Sequence, residues 1–206
     1  MDNIDKRLIS LLQNDGRMSL SEIGKHLGMS HVAVSKRLDK LQKMEVVQVT
    51  AGVNAEQLGI KVLFMGLETE NIEIAEHIMK KYENCPRLIS LAPVTGRYNL
   101  FAVMVAEDTV SLESILGTCS MRAEEGVRRS ETWFGNAPFL PKYLSVNLAP
   151  GKTDGAKSPC GRDCENCRRY TAGKCVACPT TTAYKGNLWA SLKAKGKRKR
   201  KSKSKT

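Results

Sequence analysis

The chain has no apolar run near the roughly 18 residues a membrane-crossing helix needs, so no segment is expected to span a bilayer. Its N-terminus is polar and enters a helix at once, which leaves no room for a signal peptide; a cytoplasmic protein is expected. Histidine is scarce, and the three present (His26, His31, His77) are scattered. No Ser, Cys or Lys stands in a recognisable pattern with a base, so nothing points to covalent or acid–base catalysis, and the chain is read as a non-enzyme. Acids are missing from one region in particular. The formal net charge is +12, yet residues 188–206 carry nine cations and no acid. The basicity therefore belongs to the C-terminal end and not to the body. That end cannot bury a core, should be disordered, and suits a tether that releases counterions from DNA phosphates.

What is present begins with residues 19–41. Ser19 followed three residues later by Glu22 forms a capping box, so a helix starts at Leu20, with Leu20, Ile23 and Leu27 at helical spacing. Gly28 fits a left-handed stop, and Ser30 caps the next helix. There Val34, Leu38 and Leu41 fall on one face, while Val32, Lys36, Asp39, Lys40 and Lys43 fall on the other. A helix with one packed face and one small, cationic face suits the DNA major groove. Base contact is assigned to His31, Val32, Ser35 and Lys36 and phosphate contact to Arg37 and Lys40, with Ser30 counted in the DNA-binding set at the helix start. An apolar stripe of Ile4, Leu8, Leu11 and Leu12 supplies a preceding helix. The runs Val46–Thr50 and Gly52–Asn54 read as a hairpin, the wing of a winged helix-turn-helix spanning residues 1–60.

Residues 61–147 alternate strand and helix patterns: Lys61–Thr69, Ile72–Tyr82, Arg87–Thr95, Tyr98–Ala106, a helix capped by Asp108, and Val127–Phe134. The β-α-β-β-α-β order describes a ferredoxin-like antiparallel sheet with two helices on one face, giving an α+β chain overall. Apolar residues occur on both parities of the strands, so the second face needs a cover, and self-association through the sheet would supply it.

Both domains, in this order, resemble the Lrp/AsnC (feast/famine) transcription regulators of bacteria and archaea. The resemblance rests on Ile4–Ile9 with Leu11-Leu12, on Ser30–Arg37, on Val94-Thr95-Gly96-Arg97-Tyr98-Asn99-Leu100, and on Arg129-Ser130-Glu131-Thr132. It implies dimers paired through the sheets, often octamers or other rings, that bind semi-palindromic double-stranded DNA. It also implies an amino acid or similar small effector near Gly96, Arg97, Tyr98 and Asn99, where Arg97 could pair with an effector carboxylate. Two residues depart from the family pattern. Glu45 stands where a glycine usually precedes the wing, and Asn99 replaces an aspartate. Siroheme decarboxylases resemble the same architecture but carry altered winged domains, whereas the Ser-Lys-Arg face is kept here. An architectural protein binding DNA without sequence preference is the remaining alternative.

The last quarter lies outside that resemblance. Residues 148–159, rich in Gly, Ser and Lys, read as a linker. A module over 160–187 then carries five cysteines in nineteen residues: Cys160-x3-Cys164-x2-Cys167-x7-Cys175-x2-Cys178-Pro179. Paired C-x-x-C knuckles are a strong metal-ligand pattern, and thiolate sets select zinc or an iron–sulfur cluster. Five ligands exceed a closed zinc site, and the terminal Cys-Pro suits a [4Fe–4S] cluster; either metal fits the spacing. A disulfide cluster is disfavoured in a reducing compartment. Such a metal module is a candidate sensor of redox state or metal supply. Cys85 and Cys119, in the middle domain, read as ordinary core residues.

Overall fold

The structure is a computed structural model, described here for residues 1–119, 121–135, 140–153, 155 and 157–189. The basic segment from 193 onward lies outside the described residues. The chain divides into two compact units, Met1–Gly52 and Val53–Thr206.

The first unit is three helices, α1 (Asn3–Asn14), α2 (Leu20–Leu27) and α3 (His31–Lys43). Each start is chemically specified. Asp2 and Asp5 form a reciprocal capping box on α1, Ser19 and Glu22 do the same on α2, and the Ser30 hydroxyl accepts from Ala33 N–H at 3.2 Å on α3. Leu8, Ile23, Val34 and Leu41, one or two from each helix, make the buried centre.

The expected wing does not form. Residues 46–50 contain no strand; α3 instead ends in a Schellman turn, with Val46 N–H donating to Leu41 O and Glu45 N–H to Gln42 O, both at 3.0 Å. Glu45 holds the left-handed position of that turn (φ 54°). The glycine it replaces would adopt this conformation without the Cβ penalty of about 1–2 kcal/mol. Val47 packs back on the helices, and Val53–Asn54 (β1) leaves to pair antiparallel with Tyr143–Leu144 (β6) in the second unit. The helix-turn-helix unit therefore ends at residue 52 and not at 60.

The second unit is built on β2 (Lys61–Thr69), β3 (Leu88–Pro93), β4 (Leu100–Ala106) and β5 (Val127–Gly135), antiparallel in the order β3-β4-β2-β5. The helices α4 (Ile72–Tyr82) and α5 (Thr109–Thr118) cover one face. Strand alternation decides which residues meet them. Leu63, Met65 and Leu67 face the helices beside Met104, Ala102 and Leu100, their register partners, against Ile78, Tyr82, Leu112 and Ile115.

The opposite parity, Val62, Phe64, Val103 and Val105, is covered in part by the chain itself: Ala55, Ile60, Leu144, Val146 and Trp189 close over it. Part of the cover expected from self-association is thus supplied within the chain. Exposed apolar surface persists on β5, at Trp133 and Phe134. Described residues of the expected linker 148–159 are bonded to the segment that follows. Thr153 N–H donates to Thr180 O at 2.8 Å and Lys152 Nζ to Pro179 O at 2.7 Å.

Candidate nucleic-acid interface and cysteine cavity

The HTH turn depends on two glycines. Gly28 ends α2 in the left-handed conformation (φ 67°), as its position in the sequence suggested. Gly24 lies inside α2, and a Cβ there would stand 2.5 Å from the Met29 carbonyl oxygen, so the turn can close only on a hydrogen at that position. Of the residues assigned to DNA, His31, Val32, Lys36 and Lys40 are exposed on α3, and Ser35 is half-buried beside them. Val32, 49% exposed, is an apolar group left in solvent at the helix start. That is where contact with a base edge or thymine methyl would fall.

Two assigned residues are otherwise engaged. Ser30 caps α3. Arg37 Nη1 bonds Asp2 at 2.8 Å and Asp5 at 2.7 Å, tying α3 to the start of α1. Arg37 is thus a structural tie, and its Nη1 is already engaged where a phosphate contact was expected. A matched pair of acids 32 and 35 positions upstream carries no local signal. The capping hydrogen bonds, and then Arg37, hold both carboxyls below their ordinary value.

In the loop between β3 and β4, Arg97 is exposed, with its guanidinium 5.6 Å from the Tyr98 ring centroid. Tyr98 lies over Gly66, donates its hydroxyl to Glu131, and meets Trp133 edge-on at 6.5 Å. Asn99 faces inward. Its Nδ2 donates to Thr69 O (3.1 Å) and its Oδ1 accepts from Thr69 N–H (2.9 Å). An aspartate could accept but not donate there, so the departure from the family residue serves strand β2.

The cysteine segment packs on the ferredoxin-like domain as part of the same unit. Arg87 and Glu107, 5% and 7% exposed, form a two-bonded ion pair (2.6 and 3.1 Å). Arg87 also donates to Ala177 O (3.0 Å) and lies 4.8 Å from the Trp189 ring centroid. Tyr184 donates its hydroxyl to Glu107 at 2.7 Å. Burial works against the Arg87 charge, but the bond and attraction to Glu107 outweigh it and hold the guanidinium above its ordinary value. A second hub is Glu124, which accepts from Lys81 (2.6 Å), Tyr82 (2.8 Å) and Arg162 (3.3 Å). At a third point Ser114 bonds the Lys174 carbonyl and accepts from Arg169 Nε at 2.9 Å.

Between these hubs lies a mostly apolar cavity of about 70 Å³, and all seven cysteines of the chain line it. The five expected ligands therefore line one space, and Cys85 and Cys119, packed against the apolar core as expected, line it too. The neighbouring thiols of Cys119 and Cys160 act on each other, which lowers the Cys160 thiol and raises that of Cys119. Burial pushes Cys85 up to about 12 and Cys164 to about 11. Among the described residues, no three Cys, His, Asp or Glu side chains converge closely enough to grip a single ion as they stand.

Residues 1–42 match the AsnC-type helix-turn-helix domain. The transcriptional regulator FL11 of Pyrococcus abyssi is 31% identical over 121 residues, covering 56% of this chain and 78% of that protein. The chain belongs to the Lrp/AsnC family of transcriptional regulators. Another Lrp/AsnC relative, FL11 of Pyrococcus furiosus, is 28% identical over 133 residues, covering 64% of this chain and 87% of its own. The fold agrees with the crystal structure of a Neisseria meningitidis transcriptional regulator in complex with L-Met, at a TM-score of 0.58 and 19% identity. That match covers 71% of this chain and 95% of the other. These relatives are transcriptional regulators by name, and the first two are of helix-turn-helix type. No helix among the described residues is long and apolar enough to cross a membrane.

Proposed function

We propose that this protein is a sequence-specific, homo-oligomeric transcription regulator that places α3 in the major groove of an operator. The observation that carries the reading is the solvent-facing surface of α3, where Val32, Lys36 and Lys40 stand exposed on a helix whose start and preceding turn are rigidly specified. Two copies would present two such helices to two half-sites, and pairing through the second domain would set their spacing. Trp133 and Phe134 on β5 are apolar surface available for that pairing. An amino-acid-class effector would engage the loop at Gly96–Asn99, with the exposed Arg97 guanidinium meeting its carboxylate. Asn99 is held by Thr69 and takes no part in this. The cysteine segment binds metal, as zinc or an iron–sulfur cluster, and the basic segment after residue 192 adds sequence-independent attraction to phosphates.

The test is selection of a preferred operator from random DNA, followed by binding measurements on that site and on scrambled DNA at fixed salt. Lys36→Ala should weaken binding to the selected site by about 1–3 kcal/mol and relax its preference, whereas Lys40→Ala should weaken all sequences alike. Equal affinity of the wild type for selected and scrambled DNA would overturn sequence-specific regulation in favour of an architectural role.

A further inference from the structure

The cysteine cavity has two walls. Cys160 belongs to the apolar core under the sheet, packed with Cys85 and Cys119 of the ferredoxin-like domain. Cys164 and Cys178 belong to a separate cluster within the C-terminal segment. Sulfurs that were to share one zinc would all lie about 2.3 Å from a common point. Here the thiols instead ring a space of about 70 Å³, several times the roughly 10–15 Å³ that one water requires.

Three cations and one acid, Asp163, stand around that space, and the arginines are only partly satisfied by their carboxylate partners. Arg87, Arg162 and Arg169 all line it. Two of their buried nitrogens, Arg162 Nε and Arg169 Nη2, have no hydrogen-bond partner, the latter 3.6 Å from Glu113 and too distant to bond. Buried donors left unpaired are uncommon in native proteins and call for an acceptor. A polynuclear iron–sulfur cluster with four thiolates is a compact body of net negative charge, and its sulfurs accept N–H hydrogen bonds that tune its potential.

We propose that this cavity seats a [4Fe–4S] cluster shared between the two walls, ligated by Cys119 of the ferredoxin-like domain together with Cys160, Cys164 and Cys178. Those three are the buried cysteines of the C-terminal segment, and Cys119, at the end of α5, packs against the cluster that holds Cys160 and lines the same cavity. The inference rests on the reading of that segment as metal-binding and replaces its self-contained site with a composite one. Arg162 and Arg169 donate to the cluster sulfurs. Cluster loss would then remove the central packing between the C-terminal segment and α5.

The test uses the full chain purified without oxygen, assayed for iron, acid-labile sulfide and zinc, with visible absorption and electron paramagnetic resonance. About four irons and four sulfides per chain are expected. Cys119→Ala should lose at least half of both and alter the resonance of what remains, while the control Cys85→Ala, equally deep in the core, should keep them. A cluster unaffected by Cys119→Ala would overturn the composite site and leave metal binding by the C-terminal segment standing. One zinc per chain without sulfide would overturn the cluster and likewise leave metal binding intact. No metal in a chain with a native circular dichroism spectrum would overturn both. Should Cys119→Ala fail to fold, alkylation of the wild type decides the point. Cys119 must react only after the cluster is stripped, and equal labelling before and after stripping counts against its being a ligand.

Discussion

At the residue scale, the positions that the sequence discloses are those whose constraint is local. Gly28 stops a helix, and a left-handed stop is written in its immediate neighbours. Glu45 marks a departure from a family glycine, and its positive φ gives that departure a physical meaning. Gly24 is different, because it needs to be glycine on account of the Met29 carbonyl across the turn, a contact that exists only once the turn is closed. Gly24→Ala should therefore push two backbone segments apart, at a cost of about 1–3 kcal/mol. Thermal unfolding followed by circular dichroism should show the loss in the N-terminal transition alone. An unchanged Tm would mean that the turn has slack it does not show. Asn99 belongs to the same class: its amide serves both the N–H and the carbonyl of Thr69, a fact invisible in the string of residues around it.

At the element scale, helix starts and strand parity were legible because capping boxes and alternation are short-range codes. β2 and α4 run from Lys61 to Thr69 and from Ile72 to Tyr82, as periodicity indicates. The wing was not legible. Val46–Thr50 has strand-like residues, but the Schellman turn at Glu45 and the pull of β6 on Val53 are tertiary choices. The tie between α1 and α3 is likewise tertiary, and it has a pH signature. Asp2 and Asp5 sit below their ordinary value of 3.8 in the folded domain. A depressed carboxyl stabilises the fold above its unfolded value and loses that contribution as pH falls through the folded one. The stability gap between wild type and Arg37→Met should thus be full at neutral pH and close below about pH 4. Denaturant unfolding at neutral and strongly acidic pH measures it, and a gap indifferent to pH would show that Arg37 acts only through packing.

At the scale of the whole molecule, the sequence suggested a cysteine module hung on a linker, and the structure packs that cysteine segment on the ferredoxin-like domain. The five cysteines announced themselves by spacing. Their partners did not, because Arg87, Glu107 and Glu124 are ordinary charged residues until the C-terminal segment folds over them. The Arg87–Glu107 pair is buried on every side, so deleting one member strands the other. Arg87→Ala should cost about 3–5 kcal/mol and release the segment that Ala177, Tyr184 and Trp189 anchor. New protease cuts between residues 160 and 187, with a red shift of tryptophan emission, would report that release. Resistance equal to wild type would locate the anchor at Glu124 and Ser114 instead.

The two cores also finish at different times during synthesis. The helical core is complete once Val47 has emerged, whereas the cover of the sheet awaits Trp189, near the C-terminal end. At translation rates of about 5–20 residues per second, the interval is roughly seven to thirty seconds. Throughout it, a finished DNA-reading domain precedes a second domain whose sheet still shows one bare face. A nascent chain is thus able to present α3 before the cysteine cavity has closed, and a ribosome that stalls short of residue 189 would leave behind a finished helix-turn-helix beside an uncovered sheet.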